Sequence, residues 1–398
     1  MFRICACCTA FAWCAAVAGG DEFVFDRPSD DRWHYWVNFT PGTRAAAPCF
    51  GAAGNVQFPE FNDRDGIAII VWDTSGQIRP GRGPDSYDVA RVRVTMTNLP
   101  GARWQVDLTP DEWFTFDLNR DGFINKDGIP RGERGDTDGE SDDEDPGRAV
   151  ELFGMAFGST HSYHGWNERS RYIGAVQGQT LPRDPFPFVY QDISKIPLHV
   201  EDNVKGLFNE RAEPPVAQFT PVPWAVGVPL EYRPGRQEEP FDIVFDVDLE
   251  LSDGSVRRYF QEQLDGGRVF VAVTSLQEII PQGDPRDVPN VYMKEGVEGV
   301  PRAKPGVLEI VLGAGAIPCE AVKRLSASCR RGTLKARLVL RSADYDGREV
   351  TFSVNGEEKN VRVKGRKAKL KLRDRQGTVD VCLVDPPCPP CRKADCGG

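Results

Sequence analysis

The chain has 398 residues, a formal net charge of −10 and 40% hydrophobic residues, which is typical of a folded globular protein with room for two or three domains. Its 40 glycines and 31 prolines indicate many turns and favour β-structure over helices. No internal segment is apolar over about 20 residues, so we expect no membrane span.

Residues 1–18 are predicted to be a secretory signal peptide. They combine a short basic start, an apolar run and an Ala-x-Ala end, so we expect cleavage near Ala18 and a secreted, extracellular or cell-surface location. Six of the cysteines beyond this segment lie in the last eighty residues, which predicts a disulfide framework there. Cys49 is then the odd cysteine, and we expect a buried free thiol.

Short apolar or alternating segments predict β-strands along the first three hundred residues. One helix is predicted between Asp253, as N-cap, and Gly266. Regularly spaced short strands are typical of a sandwich or jelly roll. The predicted strands cover residues 33–39, 67–72, 87–96, 104–108, 113–116, 149–157, 241–251, 268–274 and 306–312.

The acidic segment 117–145 carries the most specific chemical signal. Oxygen-bearing residues recur two positions apart from Asp117, and Gly122 stands at the sixth position, where a sharp turn is needed. This spacing is similar to that of EF-hand and dockerin calcium loops, so we predict a structural Ca²⁺ site. The predicted ligands are Asp117, Asn119, Asp121, the Phe123 carbonyl, Asn125, Asp127, Asp136, Asp138 and Glu140.

The calcium loop departs from the EF-hand pattern at its twelfth position, where Gly128 replaces the bidentate carboxylate. The segment before it alternates like a strand, and the Gly-Ile-Pro sequence after it cannot begin a helix. It therefore resembles a thrombospondin-type loop within a β-domain, with the missing ligand supplied from 136–145. The alternative is a solvated acidic loop without a metal.

Residues 318–398 contain 19 Lys and Arg against 10 Asp and Glu, a net charge of about +9. Cys329 and Cys382 are placed to link the first and last strands of a small Ig-like sandwich, and Asn355-Gly356 predicts a hairpin turn. The predicted strands are 333–341, 350–354, 360–363, 368–372 and 379–383.

The basic run 362–373 alternates with apolar residues, which predicts cations on the exposed face of a hairpin. Such a face could bind phosphate or an anionic polysaccharide. The alternatives are a solubilising face and one complementary to the acidic main domain. For an exported protein we expect no nucleic-acid partner.

The predicted fold class is mainly β: a jelly-roll-like β-sandwich with one short helix, followed by a small Ig-like β-sandwich. The predicted organisation is a signal peptide at 1–18, a main sandwich domain at 19–316, a basic Ig-like domain at 317–387 and a Cys/Pro-rich tail at 388–398.

Two regions resemble secreted bacterial β-sandwich domains of the DNRLRE type, which are related in shape to carbohydrate-binding jelly rolls. They are the segment 63–96, with Asp-Arg-Asp-Gly and Ile-Ile-Val-Trp-Asp-Thr-Ser, and the strand–helix–strand at 241–274. Motifs at 38–42, 151–154 and 223–227 are also similar to a group of uncharacterised exported bacterial proteins. The resemblance implies a fold and an exported location, and no particular activity.

No motif of a known catalytic class is present in the sequence. It contains no Gly-x-Ser-x-Gly elbow, no His-Glu-x-x-His and no phosphate-binding glycine loop. His161 and His164 lie in a polar segment without Cys or Glu at zinc spacing. Four aromatic residues could stack on sugars, but core packing is their expected role. They are Tyr163, Trp166, Tyr172 and Trp224.

These patterns predict an exported, non-catalytic, calcium-binding protein that acts in cell-surface or extracellular binding or structural assembly, with a polysaccharide or a surface protein as partner. The alternative is a calcium-dependent polysaccharide hydrolase or lyase, which needs only two suitably separated carboxylates. Buried carboxylates in an aromatic groove would favour the enzyme, and a filled core with shallow surfaces would favour binding. A third interpretation, a dockerin-like docking loop, conflicts with the lack of a second loop.

Overall fold

The computed structural model describes residues 21–34, 44–51, 64–110, 147–171, 184–190, 197–200, 220–235, 237–277, 284–313, 321–343, 345, 348–385 and 391–397. The fold over these ranges is mainly β with one α-helix, as the sequence predicts. Two compact units are present, a main unit, Glu22–Val311, and a C-terminal unit that includes Leu312–Gly398. No helix in the described ranges is long and apolar enough to cross a membrane.

The main unit contains two antiparallel sheets. The first consists of β1 (Asp21–Phe25), β3 (Ala46–Pro48), β6 (Val89–Asn98), β11 (Val228–Pro229), β12 (Phe241–Asp246), β14 (Asn290–Tyr292) and β15 (Val307–Leu312), with the order β1-β15-β6-β12-β11 and with β14 linking β3 to β6. The second consists of β2 (Asp30–His34), β4 (Phe50–Gly51), β5 (Arg64–Asp73), β7 (Val150–Ala156), β8 (Phe186–Tyr190), β9 (Pro197–His199), β10 (Ala225–Val226) and β13 (Arg268–Ser275), with the order β2-β5-β13-β7-β8-β9.

The core of the main unit forms where the two sheets face each other. The indole Nε1 of Trp72, on β5, donates to the carbonyl of Gly306, just before β15, at 3.0 Å. A Cβ atom on Gly306 would lie 3.0 Å from the sulfur of Met96 on β6 and 3.2 Å from Ile70 on β5. The apolar run 67–72, which predicts a buried strand, therefore lies in the core of a β-sandwich.

The helix α1 (Leu251–Gly266) is fastened to the second sheet by a buried tyrosine. The hydroxyl of Tyr259 donates to the carbonyl of Phe270 at 2.9 Å and accepts from the amide of Met155 at 3.2 Å. Gly267 ends the helix in the left-handed conformation, as the sequence predicts. The predicted cap is wrong, because the N-cap is Glu250, which makes no side-chain capping bond, and Asp253 lies inside the helix with a φ of 53°.

Several predicted strands are confirmed, and others are wrong or shorter. The strands at 67–72, 87–96, 149–157, 268–274 and 306–312 correspond to β5, β6, β7, β13 and β15. The strand predicted at 104–108 is irregular, since Trp104 stacks on Tyr232 at 4.8 Å and its carbonyl accepts from the Tyr232 hydroxyl. The strand predicted at 241–251 ends at Asp246. Residues 35–39 and 113–116 lie outside the described ranges.

The C-terminal unit is also built from two antiparallel sheets. Their inward side chains, such as Leu338 and Phe352, share one buried cluster. Asn355 and Gly356 have φ values of 49° and 87° and join two paired strands, so the predicted hairpin turn is confirmed. The three-stranded sheet is β16 (Val322–Arg330), β17 (Thr333–Leu340) and β20 (Lys367–Leu372), and the four-stranded sheet is β18 (Glu349–Val354), β19 (Glu357–Arg362), β21 (Thr378–Asp385) and β22 (Arg392–Asp395).

The disulfides correct one prediction and Cys49 confirms another. Cys329 does not pair with Cys382, because the chain continues into the edge strand β22. This strand brings Cys396 to a Cα distance of 4.8 Å from Cys329, and Cys382 pairs instead with Cys391. Cys49 is a buried free thiol, as predicted.

Candidate functional site

All nine predicted calcium ligands lie outside the described residues. Asp117, Asn119, Asp121, Phe123, Asn125, Asp127, Asp136, Asp138 and Glu140 fall within residues 111–146. The calcium loop therefore stays a prediction from sequence.

The aromatic residues named as sugar-stacking candidates pack in the core where they are described. Trp166 is 1% exposed and Trp224 is fully buried, while Tyr172 lies outside the described ranges. Tyr163 is half-buried and donates its hydroxyl to the Met155 carbonyl at 2.6 Å. His161, named above with His164, contacts the Arg171 carbonyl through Nε2 at 2.5 Å. These contacts are those of a structural segment.

A cleft of about 480 Å³ opens beside β12 in the main unit. Tyr232 lies next to it, and its ring is stacked against both Trp104, at 4.8 Å, and Phe241, at 4.4 Å. The cleft's Lys304 and Asp242 form an ion pair at 3.0 Å. The three aromatic rings thus pack on one another beside the cleft.

Seven cations lie on the outward side of the three-stranded sheet in the C-terminal unit, and we call this surface the cationic face. Every second residue of β17 and β20 is buried, so the residues between them point to solvent. All seven cations are exposed, and the three strands contain no Asp or Glu. The cationic face consists of Arg324, Arg330, Lys335, Arg337, Lys367, Lys369 and Lys371.

Strand pairing arranges these cations as a grid. Lys335 lies directly opposite Lys371, and Arg337 lies directly opposite Lys369. Neighbouring strands are about 4.8 Å apart and alternate residues along a strand are about 7 Å apart. Like charges directly opposite each other are destabilising. The grid therefore presents a concentrated positive potential that an anion would relieve.

No ion pair neutralises the central cations among the described residues. Lys335, Arg337, Lys367, Lys369 and Lys371 have no carboxylate within 4.0 Å in that part of the chain.

The outer side of the four-stranded sheet differs. There Asp380 lies opposite Lys393, and Glu349 lies opposite Arg362. The positive charge of the C-terminal unit is thus concentrated on one of its two sheets.

The structure corrects the predicted hairpin. The strands β19 and β20 are adjacent in sequence but belong to different sheets, and β20 pairs with β17. The basic run 362–373 therefore supplies only part of the cationic face. The cations of β16 and β17 were not singled out from sequence, although the alternation of 333–340 is their signal.

A second charged group lies in the main unit, and we call it the acidic cluster. Asp31 on β2, Glu168 in the loop after β7 and Glu295 after β14 place one carboxylate oxygen each within 4.8 Å of one another. Asp31 is 1% exposed, and its Oδ2 accepts from the Lys294 amide at 2.6 Å. Burial, with help from the nearby Glu295 charge, raises the pKa of Asp31 to about 7.

No local pattern marks the acidic cluster in the sequence, because its members come from three distant segments. Lys294 is the cation in contact with it: its ammonium group pairs with Glu168 and lies 3.8 Å from Glu295 Oε1. Arg268, on β13 of the same sheet as β2, forms an ion pair with Asp30 at 2.8 Å.

No protein-family model matches the chain, and no curated protein is significantly similar to it.

One of the buried acids, Glu151, is fully engaged. Both oxygens of Glu151 accept from the Arg64 guanidinium, at 2.6 and 3.0 Å, and both side chains are 0% exposed. A carboxylate held in this way is not available to protonate or attack a substrate.

Proposed function

We propose that the protein is an exported, non-catalytic binding protein that attaches to an anionic polysaccharide through the cationic face. The observation that carries the proposal is the concentration of seven exposed cations on the outward side of three paired strands that contain no acidic residue. Fixed strands hold the cations at regular intervals, which suits a polymer with repeated negative charges.

The residue types favour charge recognition over shape recognition. Four of the seven cations are lysines, which act as point charges and lack the planar fork of arginine. We therefore expect binding that depends strongly on salt and tolerates different polymers of similar charge density.

The predicted signal peptide is the reason to propose a polysaccharide in preference to nucleic acid. An exported protein meets anionic polymers mainly at cell surfaces and in extracellular matrices. In this proposal the calcium loop at 117–145 has a structural role. The alternative function, a calcium-dependent polysaccharide hydrolase or lyase, would act through carboxylates other than the engaged Glu151.

Retention on immobilised polymers tests the proposal. The full mature chain is expected to bind polygalacturonate and to pass through neutral dextran. The double variant Lys369→Glu/Lys371→Glu is expected to weaken binding at least about tenfold, because two cations of the grid become repulsive. The matched control, Arg362→Glu/Lys393→Glu, changes the net charge equally on the other sheet and is expected to bind as the unmodified protein does.

Two results would contradict the proposal. Equal loss in the test and control variants would mean that net charge alone governs retention. Equal retention on dextran and polygalacturonate would mean that another surface binds the polymer.

A further inference from the structure

We propose that the acidic cluster of Asp31, Glu168 and Glu295 is a divalent-cation site of the main unit that takes Ca²⁺. This site is separate from the calcium loop at 117–145, which shares no residue with it. It is also independent of the cationic face, since it lies in the other unit.

The spacing of the three carboxylates fits a single ion. Ca²⁺ binds oxygen ligands at about 2.3–2.6 Å, so two ligands on opposite sides of one ion are about 4.6–5.2 Å apart. The three oxygens of the cluster lie within 4.8 Å of one another. Their mutual spacing is therefore that of three ligands in one coordination shell.

An unpartnered buried oxygen provides the second, independent observation. Asp31 is 1% exposed, and its Oδ1 is buried with no hydrogen-bond partner among the described residues. Its Oδ2 is fixed by the Lys294 amide, so the carboxylate is held in place. A buried carboxylate oxygen without a partner is costly, and a bound cation would satisfy it.

The negative charge of the acidic cluster is also only partly balanced by nearby cations. Among the described residues, the cation in contact with the three carboxylates is the ammonium group of Lys294, which pairs with Glu168 and donates to the Ser29 carbonyl at 2.9 Å. The nearby Arg268 is engaged with Asp30 and with two backbone carbonyls. When all three carboxyls are ionised, three negative charges face the positive charge of Lys294, and a divalent cation would balance the remaining two.

A proton shared between Asp31 and Glu295 is the competing way to relieve the repulsion. It would neutralise one charge only, and it would be lost as the pH rises. The metal and the proton therefore predict different behaviour above neutral pH.

The test measures Ca²⁺ stoichiometry at pH 8 by equilibrium dialysis of the full mature chain. The variant Asp117→Ala/Asp121→Ala removes the predicted loop site and serves as the background. We expect one bound Ca²⁺ in this background, and none after Glu295→Gln or Asp31→Asn is added. Glu295 is solvent-exposed, so its variant stays informative if Asp31→Asn fails to fold. Glu298→Gln, an exposed acid three residues away, is the control and is expected to keep the ion.

Three results would overturn the proposal. The first is no Ca²⁺ bound in the background variant, and the second is one bound Ca²⁺ that survives Glu295→Gln. An unfolding midpoint that falls equally with and without Ca²⁺ as pH rises through 7 would also overturn it, in favour of the shared proton. One bound Ca²⁺ per chain in both the unmodified protein and the background variant would mean that the loop binds no Ca²⁺, and it would support the acidic cluster as the site.

Discussion

The ion pair between Arg64 and Glu151 illustrates the role of a single buried charge. The two side chains are 0% exposed and joined by two hydrogen bonds, and the guanidinium also lies over the Phe153 ring. Removing one partner of such a pair leaves the other charge buried without compensation, and this is more costly than the pair itself is stabilising.

We therefore expect Glu151→Gln to lower the free energy of unfolding by about 3–5 kcal/mol. The exposed pair of Arg258 with Glu262 is a control, because Glu262→Gln should change stability by about 0.5 kcal/mol or less. Urea denaturation of both variants provides the comparison. Equal effects would show that Glu151 contributes no more than a surface acid.

The thiol of Cys49 provides a prediction about reactivity. Burial raises its pKa to about 12, and its sulfur lies 3.4 Å from the Val273 carbonyl. The thiolate fraction is therefore negligible up to pH 9, so we expect no labelling of Cys49 by a thiol reagent in the native protein and full labelling of Cys49 after unfolding. The Cys49→Ser variant should lose this labelling after unfolding, which assigns it to Cys49. A native labelling rate that rises tenfold per pH unit to the level of a free thiol would contradict this account.

At the scale of elements, the close contact between β7 and Trp224 fixes one side of the core. A Cβ atom on Gly154 would lie 2.0 Å from Cη2 of Trp224, whose ring is fully buried. We expect Gly154→Ala to destabilise the protein by about 3 kcal/mol, because neither the ring nor the strand has space to move. Gly76→Ala, where nothing lies within 4 Å, is the control and should be nearly neutral by thermal unfolding. A neutral Gly154→Ala would mean that this contact is loose.

Strand identity could be predicted from sequence better than strand pairing. The alternation in 333–340 and 367–372 reveals which side chains face the core, because it depends only on the two-residue period of a strand. It does not reveal that β20 pairs with β17 and not with β19, since strand pairing depends on contacts between segments that are distant in sequence. The same reason explains the incorrect pairing of Cys329 with Cys382.

The candidate sites follow the same distinction. Part of the cationic face could be read from the local run 362–373. The acidic cluster could not, because Asp31, Glu168 and Glu295 meet only after three distant segments have folded together. Local structure at Trp104 could not be predicted either. Its apolar neighbours predict a strand, but its carbonyl accepts a hydrogen bond from the Tyr232 hydroxyl and not from a neighbouring strand.

At the scale of the whole molecule, both described disulfides lie in the C-terminal unit. The bond between Cys329 and Cys396 spans 67 residues and should contribute about 4 kcal/mol by restricting the unfolded chain. We therefore expect reduction to lower amide protection in β16–β22 and to leave β5 and β13 unchanged, as measured by hydrogen exchange. Equal loss of protection in both units would contradict this expectation.

Charge is distributed unevenly over the chain. Residues 318–398 carry a net charge of about +9 within a protein of net charge −10, which leaves about −19 for the rest. At physiological salt the Debye length is about 8 Å, so charges farther than this from a bound polyanion act on it only weakly, and the cations in direct contact dominate. Binding should therefore be short-ranged and set by the number of cations in contact.

The salt dependence of polygalacturonate binding by the full mature chain tests this account most directly. The logarithm of the binding constant should fall linearly with the logarithm of salt concentration, and Lys369→Glu/Lys371→Glu should reduce the slope by about two units. The control Arg362→Glu/Lys393→Glu should keep the original slope. A slope near zero for the unmodified protein, or the same slope in the test variant, would contradict the cationic face as the binding surface.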